Sequence, residues 1–415
     1  MRVPVRLLAA CLGLVSIAAC STRESAPGST PEATPDAATL ARQLLIIDTH
    51  IDVPYRLHEG WEDVSQATPD GEFDYPRAAA GGLDALFMSI YIPASVDEVG
   101  DAPAFADGLI DSVVQLASRH PDKFGVATCS ADVTTLKGQQ RIAFAMGMEN
   151  GGPIDGNLDN LRHFRDRGIR YVTLAHSKSN HISDSSYDSN EQWGGLSPFG
   201  RKLIPAMNAE GVMVDVSHIS DKAFWQVLEL THTPVIASHS SLRHFTPGFQ
   251  RNMTDEMVAA LGRNGGVIQI NFGSSFLTAA ARDYGNEQQA AFQQFREQSG
   301  LPDDDPRIAE FGAAYRLEHP YPYATVDDVL DHIDRAVQLA GIDHVGLGSD
   351  FDGVGDSLPV GLKDVSQYPN LVAGLLGRGY SEADVAKILG GNLMRVWRAV
   401  ETYAANAGNP APCTQ

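Results

Sequence analysis

Six side chains that could bind metal ions follow short apolar segments spread over most of the 415-residue chain. Imidazole nitrogens and carboxylate oxygens are donors that zinc and similar divalent ions accept. One such residue alone would more often be structural, but six at equivalent positions predict a two-metal hydrolytic centre. The six are His50 and Asp52 after LLIID, Glu149 after IAFAMGM, His218 after VMVDVS, His239 after PVIAS and Asp350 after HVGLGS.

The histidine and aspartate spacings indicate which of these residues act together. His50 and Asp52 are two residues apart, which places both side chains on one face of a strand. His218 and His239 follow consecutive apolar segments, so both could reach one metal ion. Glu149 would be costly to bury unless it is paired or coordinated, and its two oxygens could bridge two cations. A salt-bridged core glutamate is the alternative for that residue.

Asp350 is the candidate for proton transfer. In a two-metal site the water is acidified, and a neighbouring carboxylate can carry its proton to the leaving group. Asp352 competes for this role, but Asp350 directly follows its apolar segment whereas Asp352 lies in the loop. The sequence does not separate proton transfer from a second role as a ligand beside His50 and Asp52.

Eight apolar segments of strand length could position these side chains. Each is short, rich in β-branched residues and nearly all apolar, as in strands buried on both faces. Helical segments lie between them, which predicts an α/β fold, a (β/α)8 TIM-type barrel whose strand ends converge at one mouth. The predicted strands are residues 44–49, 85–92, 142–148, 169–175, 212–217, 234–238, 266–271 and 344–349.

The link between the seventh and eighth segments is longer than a normal strand–helix connection. It contains AARDYGNEQQAAFQQFREQSG, which predicts a helical insertion that could reshape the barrel mouth. A helix over 326–340 would lead into the last strand. Two closing helices are predicted at 381–389 and 392–403, with Gly390 and Gly391 as the break between them.

The N-terminus predicts export. Two arginines precede an apolar stretch that is too short to span a bilayer. The sequence IAAC then resembles the bacterial lipoprotein box, in which Cys20 carries the lipid and becomes the first residue. We therefore expect a chain lipid-anchored to a bacterial membrane and facing the periplasm. An ordinary signal peptide, cleaved at the small residues, is the alternative.

The domain order follows from these features. We expect a lipoprotein signal peptide at 1–19, a flexible tether rich in Ser, Thr, Pro and Ala at 20–38, one barrel domain at 39–404 and a tail at 405–415. The net charge of −21, without a basic segment, disfavours a nucleic-acid partner. Cys129 and Cys413 remain after export, and whether they pair is open.

An ordered series of motifs resembles the membrane dipeptidase (renal dipeptidase) family of metallopeptidases, in the amidohydrolase-like barrel superfamily. The resemblance implies a binuclear zinc site with His50 and Asp52 on one ion, His218 and His239 on the other, and Glu149 bridging them. Relatives are commonly dimers, so it also allows a homodimer. The motifs are IDTHID, GMENG, LAHSKSN, DVSH, ASHSS, RN, GSDFDG and GGNLMRVW, in that order between about residues 44 and 400.

The resemblance further implies substrate contacts from His176, Arg251 and Asp350. His176 could donate a hydrogen bond to the oxyanion of a tetrahedral intermediate. Arg251 could bind the C-terminal carboxylate of a dipeptide, although Arg243 is a nearby rival. The expected activity is hydrolysis of free dipeptides, including some with a C-terminal D-residue. Side-chain preference stays open because Gly273 stands where relatives carry an aromatic residue.

Two other functions remain as alternatives. An amidohydrolase-like enzyme acting on another small amide or lactam would carry a carbamylated lysine in place of the bridging glutamate. Lys178 comes closest, but it lies in a polar loop. A non-catalytic peptide-binding lipoprotein would lack one or more ligands, yet all of them are present.

Overall fold

The computed structural model describes residues 36–302, 305–410 and 413. The expected signal peptide, Cys20 and nearly all of the tether lie outside the described residues. Helix α1 begins at Ala37, inside the last residues of the range assigned to the tether, and Asp36 caps it by accepting a hydrogen bond from the Thr39 amide. Among the residues described, no helix is both long and apolar enough to cross a membrane.

Eight parallel strands close into a barrel, which confirms the predicted (β/α)8 architecture. The sheet order is β2-β1-β9-β8-β7-β6-β5-β4-β3, and pairing between β2 and β4 closes the ring. The strands are β1 (Ile46–Ile51), β2 (Leu83–Tyr91), β3 (Phe124–Val126), β4 (Ile142–Glu149), β5 (Ile169–Thr173), β6 (Met213–Asp215), β7 (Ile236–Ser240), β8 (Val267–Ile270) and β9 (Val345–Leu347).

Strand β3 is additional to the eight predicted strands. It pairs with the first three residues of β4, while β5 pairs with the last four, so the two share one edge of β4. Its sequence, FGV, has a glycine at the centre, and glycine is depleted in strands, so the segment gives little strand signal of its own.

Helices follow most strands and cover the outside of the barrel. Several begin at a hydroxyl residue whose oxygen accepts a backbone hydrogen bond, as at Ser197, Ser220 and Thr254. The helices are α1 (Ala37–Gln43), α2 (Val53–Glu59), α3 (Tyr75–Gly81), α4 (Ala94–Glu98), α5 (Ala102–Arg119), α6 (Ser130–Gly138), α7 (Leu158–Asp166), α8 (Pro198–Glu210), α9 (Asp221–Leu230), α10 (Asp255–Asn264), α11 (Ser274–Leu277), α12 (Ala279–Ser299), α13 (Pro306–Glu318), α14 (Val326–Ala340), α15 (Tyr368–Gly377), α16 (Glu382–Ala386) and α17 (Asn392–Asn406).

The predicted insertion between the seventh and eighth barrel strands is helical. It comprises α11, α12 and α13, and α12 alone runs for 21 residues. Helices α12 and α13 pack through aromatic rings, with Phe295 and Phe311 stacked at 4.3 Å between centroids. Only Ala281 and Tyr284 of α12 are buried, so the helix contacts the rest of the chain mainly near its N-terminal end.

The glycine pair at 390–391 does not break the C-terminal helix, so that prediction was wrong. Residues Lys387–Gly391 form a π-helical turn that joins α16 to α17 without interruption. A Cβ atom at Gly390 would lie 2.7 Å from the Leu45 carbonyl oxygen. Glycine is therefore needed there for close packing against the chain entering β1.

The barrel interior is packed, and its lower end is closed by α17. Phe87 and Tyr171 lie in the interior cluster, and Trp397 of α17 packs against Phe87 at 5.2 Å between ring centroids. Cys129, next to α6, forms a disulfide with Cys413 of the C-terminal tail. With this end filled, the opposite mouth is the one open to a ligand.

Candidate active site

The five predicted metal ligands and Asp350, the candidate for proton transfer, converge at the C-terminal mouth of the barrel. All six are buried, and they come from five different strands or the residues that directly follow them. Asp52 is not on β1, where its two-residue spacing from His50 would place it, but is the single residue between β1 and α2. His50 lies in β1, Glu149 ends β4, His239 lies in β7, and Asp52, His218 and Asp350 follow β1, β6 and β9.

The carboxylate of Glu149 lies between two sets of histidine nitrogens. Its Oε1 atom is 3.1 Å from His218 Nε2 and 3.2 Å from His239 Nε2. Its Oε2 atom is 3.4 Å from His50 Nε2, which in turn is 3.5 Å from Asp52 Oδ2. One oxygen of the carboxylate therefore faces His218 and His239, and the other faces His50, whose ring stacks on that of His239 at 3.7 Å between centroids.

These spacings fit divalent cations. Ligands at 2.0–2.1 Å in a tetrahedral zinc site lie roughly 3.3 Å from one another. The Nε2 atoms of His218 and His239 are 2.7 Å apart, and with Glu149 Oε1 they form a triangle of similar edges. The Nε2 atom of His50 is buried and has no hydrogen-bond partner among the described residues, as expected of a metal-binding nitrogen.

The charges at the site also favour bound cations. Asp52, Glu149 and Asp350 are 7%, 4% and 8% exposed, and no lysine or arginine in the described part of the chain forms an ion pair with them. Burial, with repulsion from the other two carboxylates, raises the pKa of Asp350 to about 7. Nearby cations would offset this repulsion.

The neutral state of two histidines supports the same conclusion. Burial lowers the pKa of His218 and of His239 well below the usual value, so both imidazoles stay neutral. Neutral imidazole is the form that binds a metal ion.

Strained backbone turns aim two of these side chains into the mouth. His218 and Asp350 have φ angles of 69° and 64°, in the left-handed region that costs a non-glycine residue about 1–3 kcal/mol. Gly353 leaves room for the acids, because a Cβ atom there would lie 2.2 Å from Asp52 Oδ2 and 2.5 Å from Asp350 Oδ1.

A cavity of about 800 Å³ opens above the metal-binding side chains. Its wall includes His176, Tyr91 and Tyr187, and the insertion adds Tyr284 and Gln288. The insertion therefore shapes the mouth, as its position in the sequence predicts. Lys178 lines a different cavity, and no lysine is among the described residues that line this one.

His176 lies at the cavity wall beside the metal-binding group. Its Nε2 atom is 3.6 Å from Glu149 Oε1, farther than those of His218 and His239. Burial lowers the pKa of His176, which keeps the ring neutral and able to donate one hydrogen bond. Its distance also permits coordination together with Glu149 and His218, so its role as a substrate contact stays a prediction.

The two candidate arginines differ in what they contact. Arg243 forms a two-point ion pair with Asp221, at 2.7 and 2.8 Å, which occupies its guanidinium. Arg251 is buried and donates to Ser240 Oγ and to the His239 carbonyl, and no carboxylate among the described residues pairs with it. Its guanidinium lies 5.5 Å from the ring centroid of Phe276, which lines the cavity.

The two candidate aspartates at the last strand also differ. Asp352 pairs with Arg56 at 3.2 Å and accepts a hydrogen bond from the Glu72 amide, so it stabilises the surrounding loops. Asp350 accepts one hydrogen bond from Asn271 Nδ2 at 2.7 Å and forms a potential ligand group with His50 and Asp52. The structure thus brings Asp350 to the site without separating its two roles.

Sequence reasoning missed the partners of the ligand rings. Tyr171 lies 2.8 Å from His50 Nδ1 and donates its hydroxyl to the Thr49 carbonyl, so its oxygen accepts the Nδ1 proton. This arrangement directs Nε2 of His50 toward the carboxylates, where a metal ion would replace its proton. Along β5, the side chain of Tyr171 points into the barrel, whereas those of its neighbours face the helices. This alternation is the signal in the sequence that could have identified Tyr171 as a partner of a ligand.

Comparison with known proteins places this geometry in a family. A model of the membrane dipeptidases, peptidase family M19, matches residues 35–411. Dipeptidase tcpJ of Claviceps purpurea is 34% identical over 83% of this chain and 73% of its own length. Dipeptidase 3 of Mus musculus is 30% identical over 92% of this chain and 70% of its own length.

A solved structure agrees with these relatives. The probable dipeptidase PvdM from Pseudomonas aeruginosa superposes with a TM-score of 0.76 at 30% identity, covering 89% of this chain and 98% of that one. The chain therefore belongs to the membrane dipeptidase family and is a metallodipeptidase.

Proposed function

We propose that the chain is a binuclear zinc dipeptidase that hydrolyses the amide bond of free dipeptides, including those with a C-terminal D-residue. The observation that carries this proposal is the position of Glu149, whose two oxygens face different histidines, His50 on one side and His218 with His239 on the other. His50 and Asp52 would hold one ion, and His218 and His239 the other. Bound zinc would supply Lewis acidity, which polarises a carbonyl and makes water nucleophilic near neutral pH.

Three residues of the chain act on the substrate in this proposal. His176, neutral at the cavity wall, donates a hydrogen bond to the oxygen of the scissile carbonyl as negative charge develops there. Asp350 receives the proton of the attacking water and delivers it to the departing amine. Arg251 binds the C-terminal carboxylate, because its buried guanidinium has no acidic partner among the described residues.

The position of Arg251 accounts for a limit to dipeptides. Its guanidinium bonds to the His239 carbonyl, so it lies next to a metal-binding residue. In a dipeptide, one residue separates the C-terminal carboxylate from the scissile amide. A carboxylate bound at Arg251 then places that amide close to the metal-binding side chains. A longer peptide has no carboxylate at that distance.

A dipeptide panel tests the proposal. The purified enzyme is given L,L and L,D dipeptides, the matching tripeptides and the C-terminal amides, and free amino acids are quantified. We expect release from both dipeptide series and little from tripeptides or amides. Rapid cleavage of tripeptides together with no cleavage of dipeptides would contradict the proposal.

We also propose export and lipid anchoring through Cys20, on the bacterial periplasmic side. The support is the N-terminal sequence, with its two arginines, short apolar stretch and IAAC motif. Detergent phase partition of the wild type and of Cys20→Ala tests this proposal, and an unchanged distribution would contradict it. A homodimer stays an expectation from the family, for which sedimentation velocity is the measurement.

A further inference from the structure

The carboxylate of Asp215, the last residue of β6, is completely buried behind the ring of His239. Its Oδ1 atom accepts the backbone amides of Ser217 at 3.0 Å and Ser238 at 2.8 Å. Its Oδ2 atom accepts the hydroxyls of Ser238, at 2.6 Å, and of Thr173. Four donors thus fill the acceptor sites of one carboxylate.

This arrangement fixes the direction of the next hydrogen bond. The single hydroxyl hydrogen of Ser238 points to Asp215, so the contact of 2.8 Å between Ser238 Oγ and His239 Nδ1 requires a proton on Nδ1. The lone pair of His239 then lies on Nε2, which faces Glu149 and His218. In contrast, His218 Nδ1 has no hydrogen-bond partner among the described residues.

We propose that Asp215 and Ser238 are positioning residues that hold His239 in the tautomer and orientation needed to bind metal. The inference rests on the metal centre of the proposed function and adds the residues that prepare it. Carboxylates that orient a metal-binding histidine in this way commonly change metal affinity by about 10- to 100-fold when they are replaced. Here a serine hydroxyl relays the effect of the carboxylate.

The backbone donors make Asp215→Asn a sharp test. Two amide N–H groups face Oδ1, so the amide oxygen of asparagine must stay there and its NH2 group must take the place of Oδ2. That group donates to Ser238 Oγ, whose hydrogen then turns to His239 Nδ1. The proton of His239 moves to Nε2 and occupies the nitrogen that should bind the metal. Ser238→Ala removes the relay without this reversal.

The measurement is zinc affinity of the metal-free protein, by competition with a chromophoric chelator, together with the thermal unfolding temperature without metal. We expect about 100-fold weaker binding of one of the two ions in Asp215→Asn, about 10-fold in Ser238→Ala, and near wild-type binding in Ser238→Thr, which keeps the hydroxyl. Asp132→Asn is the matched control, since Asp132 is an equally buried carboxylate that accepts from Thr128 outside the site. It should change unfolding but not zinc affinity.

The outcomes separate this inference from the proposed function. Wild-type affinity in Asp215→Asn, or equal losses in Ser238→Ala and Ser238→Thr, would overturn the inference alone. Failure of the wild type to bind zinc would overturn the proposed function and the inference with it. If Asp215→Asn does not fold, the two Ser238 variants decide: weaker binding only in the alanine variant supports the inference.

Discussion

The two halves of the proposed metal centre would hold their ions in different ways. The β1 half consists of His50 and Asp52 with Asp350 beside them, so it has one imidazole and two buried carboxylates. The β6–β7 half consists of His218 and His239, two neutral imidazoles. The first half favours a cation through negative charge, and the second through oriented nitrogen lone pairs.

The hydrogen-bond partners of the ligand histidines also differ between the two halves. In the β1 half, the Nδ1 atom of His50 donates to the neutral phenol of Tyr171. In the β6–β7 half, His239 is linked through Ser238 to the carboxylate of Asp215. The β6–β7 half, which has no acid of its own, thus has a buried carboxylate linked to one of its histidines, so the two proposed metal positions would not be equivalent.

Glu149→Gln should have the largest effect, because Glu149 is the residue common to both halves. The amide keeps the shape but loses the charge and one acceptor oxygen. We expect kcat/KM to fall by at least about 10³-fold, which corresponds to about 4 kcal/mol of transition-state stabilisation. Steady-state kinetics with a free dipeptide measures this change. Glu210→Gln, at a buried glutamate paired with Arg162 and Arg165, should retain activity.

His239→Ala and Asp52→Asn test whether the halves are separate. His239→Ala removes a donor from one half, and Asp52→Asn removes the negative charge and one donor oxygen from the other. Each variant should therefore retain one tightly bound zinc ion after dialysis and lose about 10²-fold or more in kcat. Elemental analysis by mass spectrometry gives the zinc content per chain. Loss of both ions in both variants would show a single cooperative site and contradict the division into two halves.

Arg251→Ala tests substrate binding beside the β6–β7 half. Removal of a charged partner of a carboxylate should lower kcat/KM for free dipeptides by about 10²-fold, from hydrogen bonds worth about 1.5–3 kcal/mol each. Turnover of C-terminal amides should change little. In Arg243→Ala, the ratio between free and amidated substrates should stay at the wild-type value, because Arg243 pairs with Asp221. Equal losses for both substrates in Arg251→Ala would remove its proposed role.

Tyr171→Phe should have the smallest effect. It deletes the neutral hydrogen-bond partner of His50 and leaves the ring packing against Phe87 in place. We expect about 10-fold weaker zinc binding in the β1 half, at the lower limit for such partners. Chelator competition measures this affinity. If zinc affinity fell more in Tyr171→Phe than in Asp215→Asn, the neutral phenol would matter more for zinc binding than the carboxylate, which contradicts the proposed difference between the halves.

The barrel and the convergence of its acids and histidines follow from sequence because residue type and position coincide. Each of these side chains ends or follows an apolar strand, and strand ends of a parallel barrel meet at one mouth. Strand β3 has a glycine at its centre, and Gly390 serves packing where glycine usually marks a break. Neither has a local signal strong enough to predict it.

The partners behind the ligands could not be predicted for a different reason. Asp215 and Tyr171 lie within apolar strands, where their spacing to any histidine depends on register between strands. That register is set by packing of the whole barrel. The role of Tyr284 in the cavity wall likewise depends on how α12 folds over the mouth.

Zinc titration of the metal-free enzyme tests directly whether activity requires two zinc ions per chain. Metal is removed by chelation, zinc is added in fractions of an equivalent, and amino-acid release from a dipeptide is followed at each step. We expect no activity without metal and a maximum at two zinc ions per chain. Full activity after complete metal removal, or a maximum at one ion per chain, would contradict this expectation.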